Sequence, residues 1–432
     1  MEKYYIHTMG CKSNQFESSI IVENLNTNGF EKVERIEDAE FFILNSCTVT
    51  HKSDNEAMYI LRNAKHKNPD IKTILTGCVA QIDKEKLLEN DFIDYVIGNN
   101  EKLKFAEILQ TIRQDNTRCF AQDIMSLGEF NKVVLNDMSK TRASLKIQDG
   151  CDCRCSYCII PFARGKSRSA DVDFVIEQIN NLSQKGFKEV VFTGIHIGQW
   201  GKDFSMELLD LLKEVEKRTS IERFRLGSLN PLEITDEMIE FLKTSKKFCP
   251  HFHLSLQSAC NKTLKNMNRF YTVEYYLEQI ERLNNAFELP FLGSDIIAGF
   301  AGETQEDFEI TRENLEKSGL TQIHTFPYSI RKGTQAAKSQ FQVQDDEKER
   351  RAGIIKEISK RKYEEFVQKN IGRITEVLIE KHPDKKSGFL KGVTRNYLTI
   401  ILNSKDENLL NSLQKVKLTE YKSGRIYGEI IQ

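Results

Sequence analysis

Gly150-Cys151-Asp152-Cys153-Arg154-Cys155-Ser156-Tyr157-Cys158 sets Cys151, Cys155 and Cys158 at the spacing C-x-x-x-C-x-x-C. Three thiolates this close can ligate three irons of a cubane [4Fe–4S] cluster and leave the fourth iron without a protein ligand. An open iron can bind a substrate or cofactor, which a fully ligated electron-transfer cluster cannot do. Zinc sites usually pair their cysteines as C-x-x-C and need a fourth ligand. A zinc knot and buried structural thiols are therefore the alternatives.

Outward from this loop, the chain alternates strand-like and helix-like runs. The loop follows a short strand candidate at 143–148. Further strand candidates follow at 189–193, 223–229, 251–256, 291–297 and 322–328, with helices at 172–182, 206–217, 273–287 and 306–317. Thr304 with Asp307 three residues on fits a capping box opening the last of these helices. Six such β-α units predict an open or partial (β/α)6 barrel rather than a closed eight-fold one. A charged helix over 345–368 ends it. Residues 1–112 show the same alternation, with strand candidates at 3–8, 41–46, 73–77 and 95–98 and helical stretches at 18–28 and 54–67. That pattern predicts a parallel α/β sheet with helices on its faces. Residues 113–139 lose it and read as a connecting segment. From 371 to 432 short apolar runs, at 375–379, 397–402 and 416–418, are separated by Gly and charged turns, which predicts a small antiparallel β-barrel. The expected organisation is an N-terminal domain at 1–112, a central domain at 140–370 and a C-terminal barrel at 371–432.

At 432 residues the chain is too long for one core. Its charged residues make up 29% yet balance to −1, so the global charge announces no polyanionic partner and any nucleic-acid surface must come from local clustering. The N-terminus lacks the charged-then-apolar pattern of a signal peptide, and no run approaches the roughly 18 apolar residues of a membrane span. The expected location is the cytoplasm. There, ten cysteines read as metal ligands or buried thiols rather than disulfides.

Cys11, Cys47 and Cys78 each fall just after an N-terminal strand candidate. Carboxyl ends of parallel strands share one edge, where ligand sites gather, so three thiols distant in sequence are expected to converge. Three buried core cysteines are the alternative. Cys119, Cys249 and Cys260 lack such placement and read as packed thiols.

His7-Thr8-Met9-Gly10-Cys11-Lys12-Ser13-Asn14-Gln15, Asn45-Ser46-Cys47-Thr48-Val49-Thr50 and Thr76-Gly77-Cys78-Val79-Ala80-Gln81 resemble the cysteine segments of the radical S-adenosylmethionine (SAM) methylthiotransferases. The loop through Ile160-Pro161-Phe162-Ala163-Arg164-Gly165 resembles the same family. So do Thr193-Gly194-Ile195-His196, His253-Leu254-Ser255-Leu256-Gln257-Ser258, Gly293-Ser294-Asp295-Ile296-Ile297 and His324-Thr325-Phe326-Pro327-Tyr328-Ser329. The similarity runs in order along nearly the whole chain, including a C-terminal segment like the family's small RNA-binding TRAM barrel. Gln148-Asp149-Gly150-Cys151 and Thr193-Gly194-Ile195-His196 look most like the members acting on threonylcarbamoyladenosine beside a tRNA anticodon. Departures fall at turns: Ala301 stands where the family usually has Pro, Ala259 where it usually has Gly, and Ile330 where Pro is frequent.

The resemblance implies two [4Fe–4S] clusters, one held by Cys151, Cys155 and Cys158 and one by Cys11, Cys47 and Cys78. Within such a loop C-x-C-x-x-C starting at Cys153 is too tight, so Cys153 reads as a bystander. It also implies that SAM binds the open iron of the first cluster and yields a radical, while the second carries the sulfur that is methylated and delivered. Radical chemistry suits an aromatic adenine C–H that no side-chain base can usefully deprotonate, and the cofactor supplies it. An electron donor and a sulfur source are required; no motif names either. For SAM the candidate contacts are Tyr157, Thr193, Gly194, Ser228, Gln257 and Asp295, each of which is equally an ordinary turn or strand-end residue.

Between Lys140 and Ala170 seven basic residues face two acidic ones, a local +5. Arg164, Lys166 and Arg168 are the candidate phosphate contacts to a tRNA anticodon stem-loop, whose unstacked bases are the form in which RNA is usually read. From residue 371 eleven Lys and Arg against seven Asp and Glu give a weaker +4. Phe162 is a candidate stacking or core residue. The rival readings are a methylthiotransferase for isopentenyl-type adenosine or a ribosomal protein, and a non-catalytic iron–sulfur or zinc RNA-binding protein.

Overall fold

Phe41-Phe42-Ile43-Leu44-Asn45-Ser46 is buried at every position, as a strand must be when helices cover both faces of a parallel sheet. It lies inside a six-stranded sheet in the order Glu31–Lys32, Lys3–Thr8, Phe41–Ser46, Lys72–Gly77, Tyr95–Ile97, Cys119–Phe120, with every ladder parallel. The computed structural model describes residues 1–112, 116–134 and 140–431. Four of the six strands match the periodicity. The two edge strands are two residues long and leave no pattern; the second, with Cys119, falls in the segment read as connecting.

The central sheet is also parallel. One ladder joins Ala143–Lys146, Glu189–Thr193 and Arg223–Arg225. A second joins Ser228–Leu229, His251–Leu254, Phe291–Ala298 and Gln322–Pro327. The run expected as one strand at 223–229 breaks at Leu226 and Gly227 and serves both ladders. Six strand positions thus follow one another in chain order without the last pairing back to the first, a partial (β/α)6 barrel. The Thr304–Asp307 capping box is present, and the helix Asp345–Asn370 packs along the last strand.

The C-terminal strands close into a five-stranded barrel. Its order, Ile374–Ile379, Lys391–Thr394, Thr399–Leu402, Arg425–Ile430, Leu413–Lys422, is that of an OB-like Greek key. Four ladders are antiparallel as expected. The Thr399–Leu402 pairing with Arg425–Ile430 is parallel, because the chain must cross the barrel end to close it. Among the described residues no helix is long and apolar enough to cross a membrane.

Two buried ionic clusters fix these parts against each other. In the first, Glu17 of the helix Lys12–Thr27 meets Arg164, Lys102 at 2.5 Å and Lys146 at 2.8 Å, joining the N-terminal sheet to the central one. Burial opposes its charge, but Arg164, Lys102 and Lys146 outweigh that and hold its carboxyl well below the usual range. In the second, Glu189 binds Arg223 at 2.9 Å and Arg225 at 2.7 Å. The same guanidinium groups donate to the carbonyls of Thr394 and Arg395, so the turn 394–398 of the C-terminal barrel seats on the amino end of the central strands.

Glu17→Gln keeps the volume but leaves Lys102 without its carboxylate and Lys146 and Arg164 with Asp149 alone, and is expected to cost about 3–5 kcal/mol; a denaturant midpoint unchanged from wild type would contradict the clamp. Gly392→Ala places a methyl 2.5 Å from Val377 Cγ1 and 2.6 Å from Leu378 O inside the small barrel. Overpacking of this kind costs about 1–3 kcal/mol, which thermal unfolding followed by circular dichroism would register as a lower midpoint.

Candidate active site

The order of the N-terminal sheet reverses between Lys3–Thr8 and Phe41–Ser46, and ligand crevices form at such a switch point, beyond the carboxyl ends of the strands. Cys11 follows the first of these strands and Cys47 the second. Cys78 follows the adjacent Lys72–Gly77. Gly10 has φ +88°, and a Cβ there would lie 2.6 Å from Cys47 Cβ, so only glycine lets the two segments approach this closely. Cys47 and Cys78 are buried while Cys11 is exposed. Burial pushes the Cys47 thiol up to about 11, with Cys78 and Cys11 adding to the effect, so the three sulfurs lie within electrostatic reach of one another.

Arg164 is the neighbour that sequence reasoning misplaced. Expected to meet RNA, it is 1% exposed and donates from Nε to Cys78 Sγ at 3.3 Å and from Nη2 to Asn14 Oδ1 at 2.7 Å. Arg168, also expected on the RNA surface, is buried, donating to the carbonyls of Lys166 and Arg164 and lying 3.5 Å from Asp149. Both guanidiniums answer buried anions and are withdrawn from any phosphate. Lys166 and Phe162 remain exposed.

The loop carrying Cys151, Cys155 and Cys158 starts from a two-residue ribbon, Gln148–Asp149 paired with Arg168–Ser169. Gly150, at φ +73°, has Lys166 O where a Cβ would stand, 1.8 Å away. The Gln148 side chain ties this loop to the next: Nε2 donates to Gly150 O, and Oε1 accepts from the amides of Ile195 and His196. Opposite, Arg269 donates to Cys155 Sγ at 3.6 Å and to Ser255 O at 2.7 Å. Burial pushes the Cys158 thiol up to about 12.

Cys153, read as a bystander, packs closely here. Cys151, Cys153 and His196 present ligand atoms within 4.8 Å of one another. Both sulfurs lie 3.6 Å from His196 Nδ1, and His196 Nε2 forms an ion pair with Glu233 at 2.5 Å. A hydrogen bond from Cys151, then one from His196, pulls the Cys153 thiol down to about 4. Such a compact trio suits a single ion, whereas a cube gripped at three corners spreads its thiolates more widely.

The expected SAM contacts line the carboxyl ends and inner face of the central sheet. Thr193 Oγ1 lies 3.4 Å from Ser13 Oγ, which also donates to Gly194 O, so the N-terminal sheet meets the barrel mouth at this rim. Ser228 Oγ lies 3.0 Å from His253 Nδ1, and His253 Nε2 lies 3.3 Å from Asp295. Gln257 takes φ +72° and is held between Asp295 O and the Ile297 amide. Tyr157 packs edge-on against Phe300 beside Cys155 and Cys158. His253 and His324, whose tilted rings lie 5.8 Å apart, were not singled out although both stand in the quoted segments; Arg269 had no sequence signal.

Both triads suit an iron–sulfur cluster. Each sets a guanidinium, buried at Arg164 and half-buried at Arg269, against one sulfur, which matches the charge a thiolate ligand carries. Metal binding deprotonates such thiols even when burial raises them.

Residues 3–98 match the Uncharacterized protein family UPF0004 and residues 145–315 the Radical SAM superfamily. The chain is 33% identical to the threonylcarbamoyladenosine tRNA methylthiotransferase MtaB of Bacillus subtilis, over 98% of this chain and 94% of that one. It is 35% identical to the tRNA-2-methylthio-N(6)-dimethylallyladenosine synthase of Thermodesulfovibrio yellowstonii, over 99% and 98%. Among solved structures, the radical SAM methyltransferase TsrM of Kitasatospora setae, with cobalamin and a [4Fe–4S] cluster bound, superposes with a TM-score of 0.59 over 78% of this chain and 77% of that one. At 14% identity it shares the fold alone. Radical SAM membership brings SAM and a [4Fe–4S] cluster with it. A relative matched over nearly its whole length, together with two cysteine triads at adjoining sheet ends, makes this chain a member of the radical SAM methylthiotransferase family.

Proposed function

We propose that the chain converts N6-threonylcarbamoyladenosine at position 37 of tRNA to its 2-methylthio derivative, using SAM and two [4Fe–4S] clusters. The observation that carries the reading is the junction of the two sheets, where Ser13 beside Cys11 meets Thr193 and Arg164 reaches from the radical-SAM loop to Cys78. Cys151, Cys155 and Cys158 would hold the cluster at which SAM is reductively cleaved, and Cys11, Cys47 and Cys78 the one that carries sulfur. When bound, these groups supply the radical and the methylthio sulfur.

The chain's own work is placement. Gln148 fixes the cluster loop to the 194–196 turn. Arg164 and Arg269 balance thiolate charge, and Thr193, Gly194, Ser228, Gln257, Asp295 and Tyr157 form the walls that orient SAM and exclude water. Lys166 and the C-terminal barrel offer the tRNA surface, with phosphate contacts that position rather than specify. The relatives' names support a tRNA adenosine as substrate class. The cytoplasm remains the proposed location.

The compact Cys151–Cys153–His196 trio favours a second reading of the loop, in which it holds a single metal ion. The two part cleanly under substitution. After anaerobic reconstitution, Cys153→Ser is expected to keep its iron and sulfide and its reductive SAM cleavage, whereas Cys155→Ser loses about half of its iron and sulfide, as follows from one cluster per triad, and all reductive SAM cleavage. Loss of metal in Cys153→Ser with retention in Cys155→Ser would select the single-ion site. A triple Cys11, Cys47, Cys78→Ala variant is expected to lose about half of the iron, as follows from one open cluster per triad. It should retain some SAM cleavage and give no mass gain of one methylthio group on threonylcarbamoyl-bearing tRNA by nucleoside mass spectrometry. Full product from that variant would defeat the sulfur-carrier role.

A further inference from the structure

Inward-facing positions on the central strands run from the rim, with Thr193, Ser228 and Asp295, down to a floor at the amino ends. The floor is closed by the C-terminal barrel. Tyr397 in the seated turn has φ +73°, and its ring lies 4.1 Å from the His251 ring, with the Arg225 guanidinium 5.2 Å and the Arg142 guanidinium 5.7 Å from its centre. Facing it from the start of the helix Lys12–Thr27 is Lys12, exposed, next to the Ser13 that touches the rim. Tyr397, Arg142, Arg225 and Glu189 all lie within electrostatic reach of its ammonium.

The local charges do not balance. Glu189 is spent on Arg223 and Arg225. Among the described residues the one carboxylate that Arg142 pairs with is Glu380, at 3.8 Å, and Glu380 is shared with Lys391 at 3.1 Å. Among the described residues Lys12 has no ion-pair partner. Glu376, 3.8 Å from Arg223, is shared with Arg395 at 3.3 Å. Two under-matched cations grouped with a phenol at the base of the central strands fit an anion with hydrogen-bond acceptors.

We propose that Lys12 and Arg142, with the Tyr397 hydroxyl, form a subsite for the carboxylate at the end of an amino-acid-bearing substituent on the adenine N6. This rests on the methylthiotransferase reading. A base entering at the rim between the triads would direct its exocyclic substituent towards the floor. Threonylcarbamoyl ends in a carboxylate and a hydroxyl, while dimethylallyl is hydrocarbon and would strip water from the two cations without replacing it. The cationic floor therefore selects the first and rejects the second, since sites built around a polar partner discriminate strongly against analogues lacking it.

The test varies substrate and protein together. Anticodon stem-loops carrying threonylcarbamoyladenosine, its neutral methyl ester or dimethylallyladenosine are titrated against the reconstituted enzyme, for affinity and for methylthio product. Wild type is expected to favour the free acid over the ester by about 30-fold or more, as losing one partner of a desolvated charge pair implies. Lys12→Met and Arg142→Met should erase that preference by weakening the acid alone, with iron content unchanged, and Lys12→Arg should restore part of it. Equal affinity of wild type for acid and ester overturns the subsite, and needs no variant to fold. Product from the free acid in the same assay shows that the methylthiotransferase reading stands even then; product from none of the three shows that the reading itself has failed.

Discussion

A carboxylate with almost no access to water, surrounded by three cations from three separate segments, is the constraint on which the rest of the molecule depends. Glu17 sits on the helix that begins immediately after Cys11, Arg164 ends the helix that follows the radical-SAM loop, and Lys146 closes the first central strand. None of the four charges can be left alone at this depth, because an unpaired buried ion costs several kcal/mol. The pairing is therefore a registration device. It forces the carboxyl edge of the N-terminal sheet onto the mouth of the central one, and no slid arrangement satisfies all four groups. Hydrophobic burial alone is non-directional and would tolerate such a slide.

The same registration sets the electrostatics of the site. Arg164 spends its second edge on Glu17 and Asn14 and turns its Nε to Cys78. Its charge is thereby fixed next to sulfur rather than free to seek phosphate. Arg269 does the equivalent at Cys155 while anchored to Ser255 O. In both places a cation is held by the protein scaffold before any ligand arrives, so the reorganisation that a mobile side chain would require is avoided. The two most basic-looking positions of the loop were thus poor guides to the RNA surface: charge counted along a sequence says nothing about which charges are already answered.

Much of this was legible in the residues. Parallel strands buried on both faces announce themselves as apolar runs, and Phe41–Ser46 is one; the helices behind them carry a 3.6-residue period. Cys11, Cys47 and Cys78 could be grouped because parallel strands end on one edge, and the switch point explains why that edge opens between the first two. Three things were illegible. Two-residue edge strands have no period to detect. The parallel closing ladder of the C-terminal barrel depends on a crossing that short apolar runs do not encode. Burial of Arg164 and Arg168 depends on Glu17 and Asp149 arriving from elsewhere in the fold, and only the tertiary structure brings them. Gln148, His196, His253 and His324 stood in plain view within the quoted segments, yet a polar side chain's partner cannot be inferred until the neighbouring loop is placed.

The seating of the C-terminal barrel has a consequence for how the domains can move. Its turn sets Tyr397 against His251 and Arg225 at the amino ends of the central strands, and Arg223 and Arg225 hold that turn by its carbonyls. A barrel hung from a linker would need none of these contacts; this one is built into the base of the central sheet. Phe291, at the start of a central strand, packs edge-on against Phe366 of the long helix and against Tyr397. Any tilt of the barrel must move Tyr397 against the central strands. The barrel and the central domain are thereby mechanically joined, and the joint is made of buried guanidinium-to-carbonyl hydrogen bonds that have few alternative arrangements.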